Sequence, residues 1–368
     1  MANLYYNNIK KYFINIILIM LNKNKMKKIK ICICLFLILT LAMNRENLNN
    51  NTYFYPVIDN INITQFKESI LRYPSVNDIE LNYSSKCGEI FKYKKNNERD
   101  LVMFAYKSTK YDFNSKRSLL IYFVIDSIKK NIPKAKIICF VPENSLNISL
   151  VIQVLKRNKV LIIKEKNFLN LELVSSRFIY EYEYLKKNIN FYTRVIHADL
   201  TDIFFLSDIF RTLKPNELVI NKECGVHSIF GAKGNFILNH RNDIKWFYRS
   251  FGNNKYIVNL FKKINPMVIN AGLIMGDSKE YLKFLEIMIK NFNYIKALDY
   301  GYDQMLINVL YYTGKFKNIN IKFDLCTQRS CFIPRLIWKN KKLYFKTGCS
   351  PVLIHKSYPT NKYIINSM

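Results

Sequence analysis

The chain has few glycines and lacks the glycine-rich loops that cradle phosphates. Only 10 of its 368 residues are glycine. No G-x-G-x-x-G follows the first predicted strand, and no G-x-x-x-x-G-K-[S/T] occurs anywhere in the sequence. These absences argue against nicotinamide-dependent dehydrogenases and P-loop nucleotidases, because both classes bind a diphosphate through such a loop. A diphosphate bound by this chain must therefore be neutralised in another way.

Acidic residues are also scarce, with 27 against 57 basic ones and a formal net charge of +30. Such an excess invites a nucleic-acid-binding function. The lysines are scattered, however, and nothing resembles a helix-turn-helix, a zinc finger or an RNA-binding aromatic signature. We therefore predict a solvated positive surface and no nucleic-acid partner, and keep nucleic-acid binding as an alternative.

Eight cysteines are too few for a disulfide scaffold in a chain of this length. The sequence contains no C-x-x-C pair and no H-x-x-x-H spacing, so no zinc site is predicted. Cys139 lies in the apolar run KIICFV, which predicts a buried reduced thiol. In an oxidising compartment, the segment Cys326 to Cys331, with Cys349 further along, could contain a disulfide. Cys87 and Cys224 have no predicted role.

Residues 26–43, MKKIKICICLFLILTLAM, begin with lysines and continue as an apolar run that only Thr40 interrupts. This is the pattern of a signal peptide or signal anchor, and it is shorter than the roughly 18–20 apolar residues of a spanning helix. Residues 1–25 are then either a cytosolic tail or the result of a mis-assigned start. We expect a protein of the secretory pathway, either secreted or a type II membrane protein of the Golgi or endoplasmic reticulum.

Residues 44–98 lack sustained periodicity, which predicts a stem or linker. Four acceptor triplets for N-glycosylation fit the secretory route, and they begin at Asn50, Asn62, Asn82 and Asn147.

From residue 99 to residue 368 we predict one α/β domain. Apolar, strand-like runs at 100–106, 135–141, 159–164 and 191–197 alternate with helix-like segments at 117–131, 150–158 and 172–187. This alternation predicts a Rossmann-like, mostly parallel sheet flanked by helices. In such sheets ligands bind beyond the carboxyl ends of the strands.

The stretch FYTRVIHADLTDIFF, residues 191–205, carries two aspartates where a buried strand ends. Aspartate is rare in strands and costly to bury unpaired, so Asp199 and Asp202 require either solvent or a cation. A divalent cation held by these carboxylates would neutralise a diphosphate without a glycine-rich loop. The alternative is that both aspartates cap the following turn.

Several motifs in one order resemble the nucleotide-diphospho-sugar glycosyltransferases of the GT-A fold. They are DLTDIFF at 199–205, the preceding SSRFIYEYEYL, and the later segments 242–252, 268–288 and 302–312, with VLIHKSY near the C-terminus. The first is a D-x-x-D-type variant of that family's metal motif. The resemblance covers residues 100–358. It departs from the D-x-D triplet of the family, whose aligned positions are either His197-x-Asp199 or Asp199-x-Thr201.

The resemblance implies a Mn²⁺ or Mg²⁺ cofactor bound by Asp199, Asp202 and His355. Lys356 would add a positive charge beside the diphosphate. The nucleotide would lie against residues on other elements, namely Ala105, Tyr106, Arg117 and Arg177.

The resemblance also implies a sugar pocket around Asn270 and Gly272, where an amide faces hydroxyls and glycine allows a close approach. Asp303 and Gln304 would face the same cleft and act as its catalytic residues. Each of these residues has a structural alternative, such as a turn former or a helix-terminal pair. Trp246, with Phe247, Tyr248 and Phe251, is predicted to belong to the core, and the alternative is a platform on which a sugar stacks.

The predicted function is transfer of a hexose from a nucleotide-sugar donor, a UDP-sugar, to a glycan or glycoprotein acceptor. A first alternative is a catalytically inactive GT-A-fold binding or scaffold protein of the secretory pathway. A second is a glycoside hydrolase, which needs two carboxylates about 5–9.5 Å apart on opposite sides of the scissile bond.

Overall fold

The computed structural model describes residues 80–107, 115–143, 150–165, 171–223, 236–324, 329–332, 337–339, 342–345 and 347–355. These residues belong to one compact unit. Among them, none of the helices has the length and apolar character needed to span a membrane. The predicted signal or anchor segment at 26–43 lies outside the described residues, as does most of the predicted stem.

The first part of the domain alternates strands and helices as predicted. The elements are β1 Asp100–Ala105, α1 Ser115–Asn131, β2 Lys136–Pro142, α2 Leu150–Arg157, β3 Leu161–Glu165, α3 Leu173–Asn188 and β4 Arg194–Ala198. The strand β4 starts three residues later than the predicted run, because Ile189–Phe191 forms a 3-10 turn. The ring of Phe191 is 67% exposed there, so its apolar character is not a strand signal.

The second part of the domain is less regular and contains short strands. Its elements are β5 Ile203–Phe205, β6 Leu218–Lys222, α4 Arg241–Phe251, α5 Lys255–Ile264, β7 Ile269–Asp277, α6 Ser278–Lys290, α7 Tyr302–Tyr312, β8 Ile321–Asp324, β9 Ser330–Phe332, β10 Ile337–Lys339, β11 Lys342–Tyr344 and β12 Leu353–His355.

Seven strands form the main sheet in the order β3-β2-β1-β4-β7-β6-β8. The first four run parallel, and β7 runs antiparallel between β4 and β6. The strand β8 is parallel to β6. This confirms the predicted mixed, mostly parallel sheet flanked by helices. The insertion of β7 beside β4 places the start of β7 next to the end of β4, where Asp199 follows.

Alternation along the strands assigns side chains to the two faces of the sheet. On β1, Leu101 and Met103 pack in a cluster with residues of α3, α6 and α7. Val102 and Phe104 pack on the opposite face with residues of α1 and α2. The same alternation on β4 directs His197 toward α3. Asp199, two residues further on, also contacts α3.

A small sheet beside the main one joins the middle of the chain to its C-terminal part. Its strand order is β5-β12-β9, with β12 antiparallel to β5 and parallel to β9. The register pairs His355 with Ile203. Because Asp202 directly precedes Ile203, this pairing brings His355 close to the two aspartates.

Residues 80–98, predicted to belong to the linker, are attached to the domain. The Asn82 backbone N–H donates a hydrogen bond to Ser350 Oγ at 2.7 Å, and the Tyr83 hydroxyl donates to the Pro351 carbonyl at 2.7 Å. Cys87 forms a disulfide with Cys349. The ordered domain therefore begins before residue 99, and a linker cannot extend to residue 98.

The disulfide also corrects the predicted pairing, because Cys349 bonds to Cys87 rather than to the segment from Cys326 to Cys331. Cys326 lies outside the described residues. Cys139 is buried and unpaired as predicted, and burial raises the pKa of its thiol far above the usual value.

The disulfide spans 262 residues of sequence, so its loss should release considerable chain entropy on unfolding. We expect Cys87→Ala to lower the free energy of unfolding by about 2–5 kcal/mol. Denaturant unfolding with and without reductant measures this. Reductant should destabilise the wild type and leave Cys87→Ala unchanged, and a wild type insensitive to reductant would contradict the pairing.

Candidate metal site and adjoining cleft

Asp199, Asp202 and His355 form a group of possible metal ligands at the carboxyl edge of the sheet. Asp199 follows β4, Asp202 precedes β5, and His355 ends β12. One ligand atom from each lies within 4.8 Å of the others. Donor atoms that share one cation at about 2.0–2.2 Å lie about 3–4.4 Å from one another. Side-chain shifts of about 1 Å would therefore allow these three atoms to coordinate one cation.

The two aspartates of the D-x-x-D spacing lie beside His355, whereas His197 is engaged elsewhere. His197 is fully buried, and its Nδ1 lies 2.8 Å from each carboxylate oxygen of Glu181. Its Nε2 lies 3.0 Å from the Ala271 carbonyl oxygen. The Tyr281 hydroxyl donates to the same Glu181 carboxylate at 2.5 Å. Both ring nitrogens of His197 thus serve a buried network between β4, α3 and α6.

Arg177 of α3 holds Asp199 from the other side. Its Nη1 pairs with Asp199 Oδ1, and its Nη2 lies 3.3 Å from both Asp303 Oδ2 and the Ala271 carbonyl oxygen. The side chain is almost completely buried. Burial alone would lower the pKa of the guanidinium, but Asp199 and Asp303 outweigh it and raise that pKa above its usual value. Arg177 is therefore a permanent positive charge that fixes one oxygen of Asp199.

Gly272 on β7 leaves the space in which Asp199 and His355 approach each other. A Cβ at this position would lie 2.3 Å from Asp199 Oδ2 and 3.0 Å from His355 Nε2. No larger residue fits here without displacing one of these two side chains. Gly272 lies within an ordinary strand, so the constraint is the close approach and not an unusual backbone conformation.

A cleft opens beside this group, with a cavity volume of about 120 Å³. An engineered cavity of roughly 150 Å³ holds benzene, so the cleft has room for about one ring-sized group. Its lining combines residues that the sequence predicted for the nucleotide, metal and sugar sites with residues of α4 and of the segment before α7. The lining residues are Val174, Arg177, Asp199, Glu223, His240, Asp243, Trp246, Asn270, Ala271, Gly272, Tyr300, Gly301, Asp303 and Gln304.

The cleft is acidic although the chain is strongly basic. Its lining holds four carboxyl groups and one guanidinium, and Asp202 adds another carboxyl group beside it. Burial raises the pKa of Asp303, and the Arg177 charge opposes that rise only in part. A surplus of carboxylates attracts cations and repels phosphates. The lining of this cleft therefore favours an anionic ligand that is accompanied by a cation.

Further along the cleft, Asp243 connects His240 to Gln304. Asp243 Oδ2 lies 2.5 Å from His240 Nδ1, and its Oδ1 accepts a hydrogen bond from Gln304 Nε2 at 2.8 Å. Burial, reinforced by the nearby Glu223 carboxylate, raises the pKa of Asp243 to about 6, while Gln304 and His240 act in the opposite direction. Asp243 thus changes its charge close to neutral pH.

The predicted sugar-pocket residues Asn270, Gly272, Asp303 and Gln304 all line the cleft. Asn270 is already engaged within the protein: its Nδ2 donates to Glu223 at 2.8 Å, and its Oδ1 accepts from the Gly272 N–H at 2.7 Å. The Asn270 amide therefore lines the pocket and also holds Glu223 and the Gly272 backbone in place.

Four of the predicted nucleotide and diphosphate contacts are not among the described residues that line the cleft. Ala105 ends β1, but Tyr106 is buried in the core cluster on the face of α1 and α2, away from α3. Arg117 lies in α1, and its side chain is outside the described part of the structure, as is Lys356. The nucleotide role of these four residues stays a prediction.

Sequence reasoning missed Glu223, His240, Asp243 and Tyr300. Trp246, predicted to belong to the core, packs partly buried against the cluster that contains Phe247 and Phe261, and it also lines the cleft. The spacing His240-x-x-Asp243 at the start of α4 was the available signal, since residues three apart on a helix are neighbours.

Among known proteins, no family model and no curated sequence matches the chain. The resemblance to GT-A glycosyltransferases stays a prediction.

Gly272→Ala tests whether Asp199 and His355 bind metal together. The added methyl group must push one of them away, so Mn²⁺ affinity should fall about 10–100-fold, the scale of changes just outside a ligand shell. Mn²⁺ titration by electron paramagnetic resonance measures it. Gly314→Ala is the control, because Gly314 has a φ of +76° and no atom near an added Cβ. Gly314→Ala should lower stability and leave Mn²⁺ affinity unchanged. A Gly272→Ala variant that binds Mn²⁺ as tightly as the wild type would contradict the shared site.

Asp243→Asn should change the pH dependence of stability. Because the folded-state pKa of Asp243 is raised to about 6 from 3.8, its contribution is most favourable below pH 4 and is lost as pH rises through 6. Between pH 4 and 7, wild-type stability should therefore fall relative to the variant by about 1–3 kcal/mol. Denaturant unfolding across this range measures the difference, and a constant difference would show that the pKa is not raised.

Proposed function

We propose that the protein is a metal-dependent glycosyltransferase that moves a sugar from a nucleoside-diphosphate donor to a glycan or glycoprotein acceptor. The observation that carries the proposal is the group Asp199, Asp202 and His355 at the carboxyl edge of the sheet, beside an acidic cleft. In open α/β sheets this edge is where ligands bind.

The donor atoms suit a transition-metal ion such as Mn²⁺. Two carboxylates favour hard divalent cations, and an imidazole among the ligands favours a transition metal over Mg²⁺. When bound, such an ion supplies positive charge to the diphosphate, whose negative charge grows as the glycosidic bond breaks. The acidic lining explains why this charge is needed, because the described cleft residues alone cannot balance a diphosphate.

The chain's own residues prepare this site before any ligand enters. Arg177 holds Asp199 Oδ1, which fixes the rotamer of Asp199 and leaves Oδ2 beside His355. The strand pairing of β5 with β12 fixes His355 relative to Asp202, whose Oδ1 lies 4.0 Å from His355 Nε2. Ligands held in place in this way lose little freedom on binding a cation.

The adjoining cleft suits one sugar ring. Its polar groups include the Gln304 amide, which bonds Asp243, Asn270 and the Ala271 N–H. Asp303, next in sequence, is held by Arg177. Fixed polar groups that converge on a ring-sized space are the usual basis of specificity in small-ligand sites. We assign the donor sugar to this space, against Asn270 and Gln304.

A glycoside hydrolase is a poorer fit to this geometry. Its two carboxylates flank a scissile bond from opposite sides. Asp199 and Asp202 instead lie at one sheet edge, with ligand atoms within 4.8 Å and an imidazole beside them. That arrangement favours shared coordination of one cation.

The test is a screen of nucleotide-sugars for donor consumption with and without Mn²⁺. Asp202→Asn should reduce turnover at least about 100-fold, the scale on which one preorganised electrostatic contact acts. Asp202 is preferable to Asp199 here because Asp199 pairs with the buried Arg177, so that its replacement would also disturb the fold. Asp299→Asn, at a partly exposed carboxyl group that pairs with Arg249, is the matched control and should leave turnover unchanged.

Wild-type turnover in Asp202→Asn would remove the metal role of this residue. A wild type that binds Mn²⁺ and a nucleoside diphosphate but consumes no donor would favour the inactive scaffold protein over the enzyme. A wild type that binds neither would contradict the proposed function altogether.

A further inference from the structure

Part of the cleft wall is aromatic and belongs neither to the metal group nor to the predicted sugar pocket. Trp246 of α4 and Tyr300, before α7, both line the cleft, with ring centroids 5.4 Å apart in an edge-to-face arrangement. Tyr300 is 56% exposed, so it lies at the mouth of the cleft. An amphipathic ring at a polar cleft is suited to a ligand that has both an apolar face and hydroxyl groups.

The backbone at Gly301 fixes the Trp246 ring. Gly301 has a φ of +86°, and a Cβ there would lie 2.3 Å from the indole. Only glycine therefore satisfies both the backbone conformation and the close contact. A tryptophan fixed in this way in the wall of a cleft presents a preformed surface, on which a ligand can stack without ordering a side chain.

His240 lines the same cleft and is oriented by Asp243. When Asp243 is a carboxylate it accepts the Nδ1–H of His240, so the neutral imidazole carries its lone pair on Nε2. The His240 side chain is 34% exposed, whereas that of Asp243 is 1% exposed. An aspartate that orients an imidazole and stabilises its protonated form is the arrangement by which a histidine takes a proton from a hydroxyl group.

We propose that Trp246, Tyr300 and His240 form an acceptor subsite at the mouth of the cleft, outside the space assigned to the donor sugar, for a carbohydrate acceptor whose attacking hydroxyl gives its proton to His240 Nε2. This inference rests on the proposed function and extends it to the second substrate. The acceptor oxygen forms a bond to the anomeric carbon, and the bond from that carbon to the diphosphate oxygen breaks. Its electron pair leaves with the diphosphate, and the proton remains on His240. Asp243 is a positioning residue.

The charges around His240 favour this direction of proton transfer. The groups that line the cleft with it are Glu223 after β6, Asp243 on its own helix, Asp303 on α7, and the paired Asp199 and Arg177. Carboxylates predominate among these groups, and Asp243 is the one that bonds directly to the His240 ring. Asp243 accepts the Nδ1–H of His240 only when it is a carboxylate, so proton transfer to His240 should need a pH above about 6.

The binding half of the proposal can be tested by fluorescence, because the chain has only two tryptophans. Trp338→Phe leaves Trp246 as the single reporter. Methyl glucoside, methyl galactoside and methyl mannoside are titrated in turn in the presence of Mn²⁺ and UDP. We expect a saturable change in Trp246 emission with at least one of them, abolished by Gly301→Ala, which displaces the indole. The absence of a saturable change with all three overturns the subsite.

The catalytic half is tested with His240→Asn and the glycoside that binds best. Asparagine retains a donor for Asp243 at the Nδ1 position and lacks Nε2. We expect kcat for transfer to fall about 100-fold or more, the scale of general base catalysis, with the KM of the donor and Mn²⁺–UDP binding unchanged. Added imidazole should restore part of the activity of His240→Ala, which a structural role would not allow.

The outcomes separate this inference from the proposed function. Wild-type kcat in His240→Asn, with Mn²⁺–UDP binding intact, overturns the role of His240 alone. Loss of Mn²⁺–UDP binding in that variant shows a structural role and also overturns it. A wild type without Mn²⁺–UDP binding contradicts the proposed function, and with it the acceptor subsite.

Discussion

The buried guanidinium of Arg177 is the interaction on which the candidate site depends. It joins α3 to Asp199 after β4, to the Ala271 carbonyl on β7 and to Asp303 on α7. A single guanidinium therefore connects four elements that are distant in sequence. Removing a partner from a buried ion pair typically costs about 3–5 kcal/mol, because the remaining charges stay buried without compensation. The same contact orients Asp199 for a cation, so the stability of the fold and the preparation of the site cannot be separated.

The sheet topology determines what lies beside Arg177. The antiparallel strand β7 is inserted between β4 and β6, which brings Gly272 against the end of β4. The small sheet carries His355 to the same place from the C-terminal part of the chain. The disulfide between Cys87 and Cys349 attaches the segment at residues 80–98 a few residues before His355. The polar cleft is thus built from short strands around a regular α/β core, with a basic chain enclosing an acidic cavity.

Sequence reasoning succeeded where a local pattern determines structure. The strands and helices up to Ala198 follow from hydrophobic periodicity, and Asp199 and Asp202 mark the strand end because carboxylates do not continue a buried strand. It failed where contacts are distant in sequence. The partner of Cys349 is 262 residues away, which no spacing rule can identify. His240 and Trp246 look like an ordinary amphipathic helix, and only the packing of α4 against Gly301 shows that they reach the cleft.

The central claim is that one cation binds between Asp199, Asp202 and His355. Anomalous diffraction from crystals soaked in Mn²⁺ and UDP tests it most directly, because the anomalous peak locates the ion without reference to activity. The account predicts a peak at about 2.0–2.3 Å from a carboxylate oxygen of each aspartate and from His355 Nε2, as for first-row ions, with density for a diphosphate beside it. A peak elsewhere in the cleft, or no peak at full soaking, would contradict it.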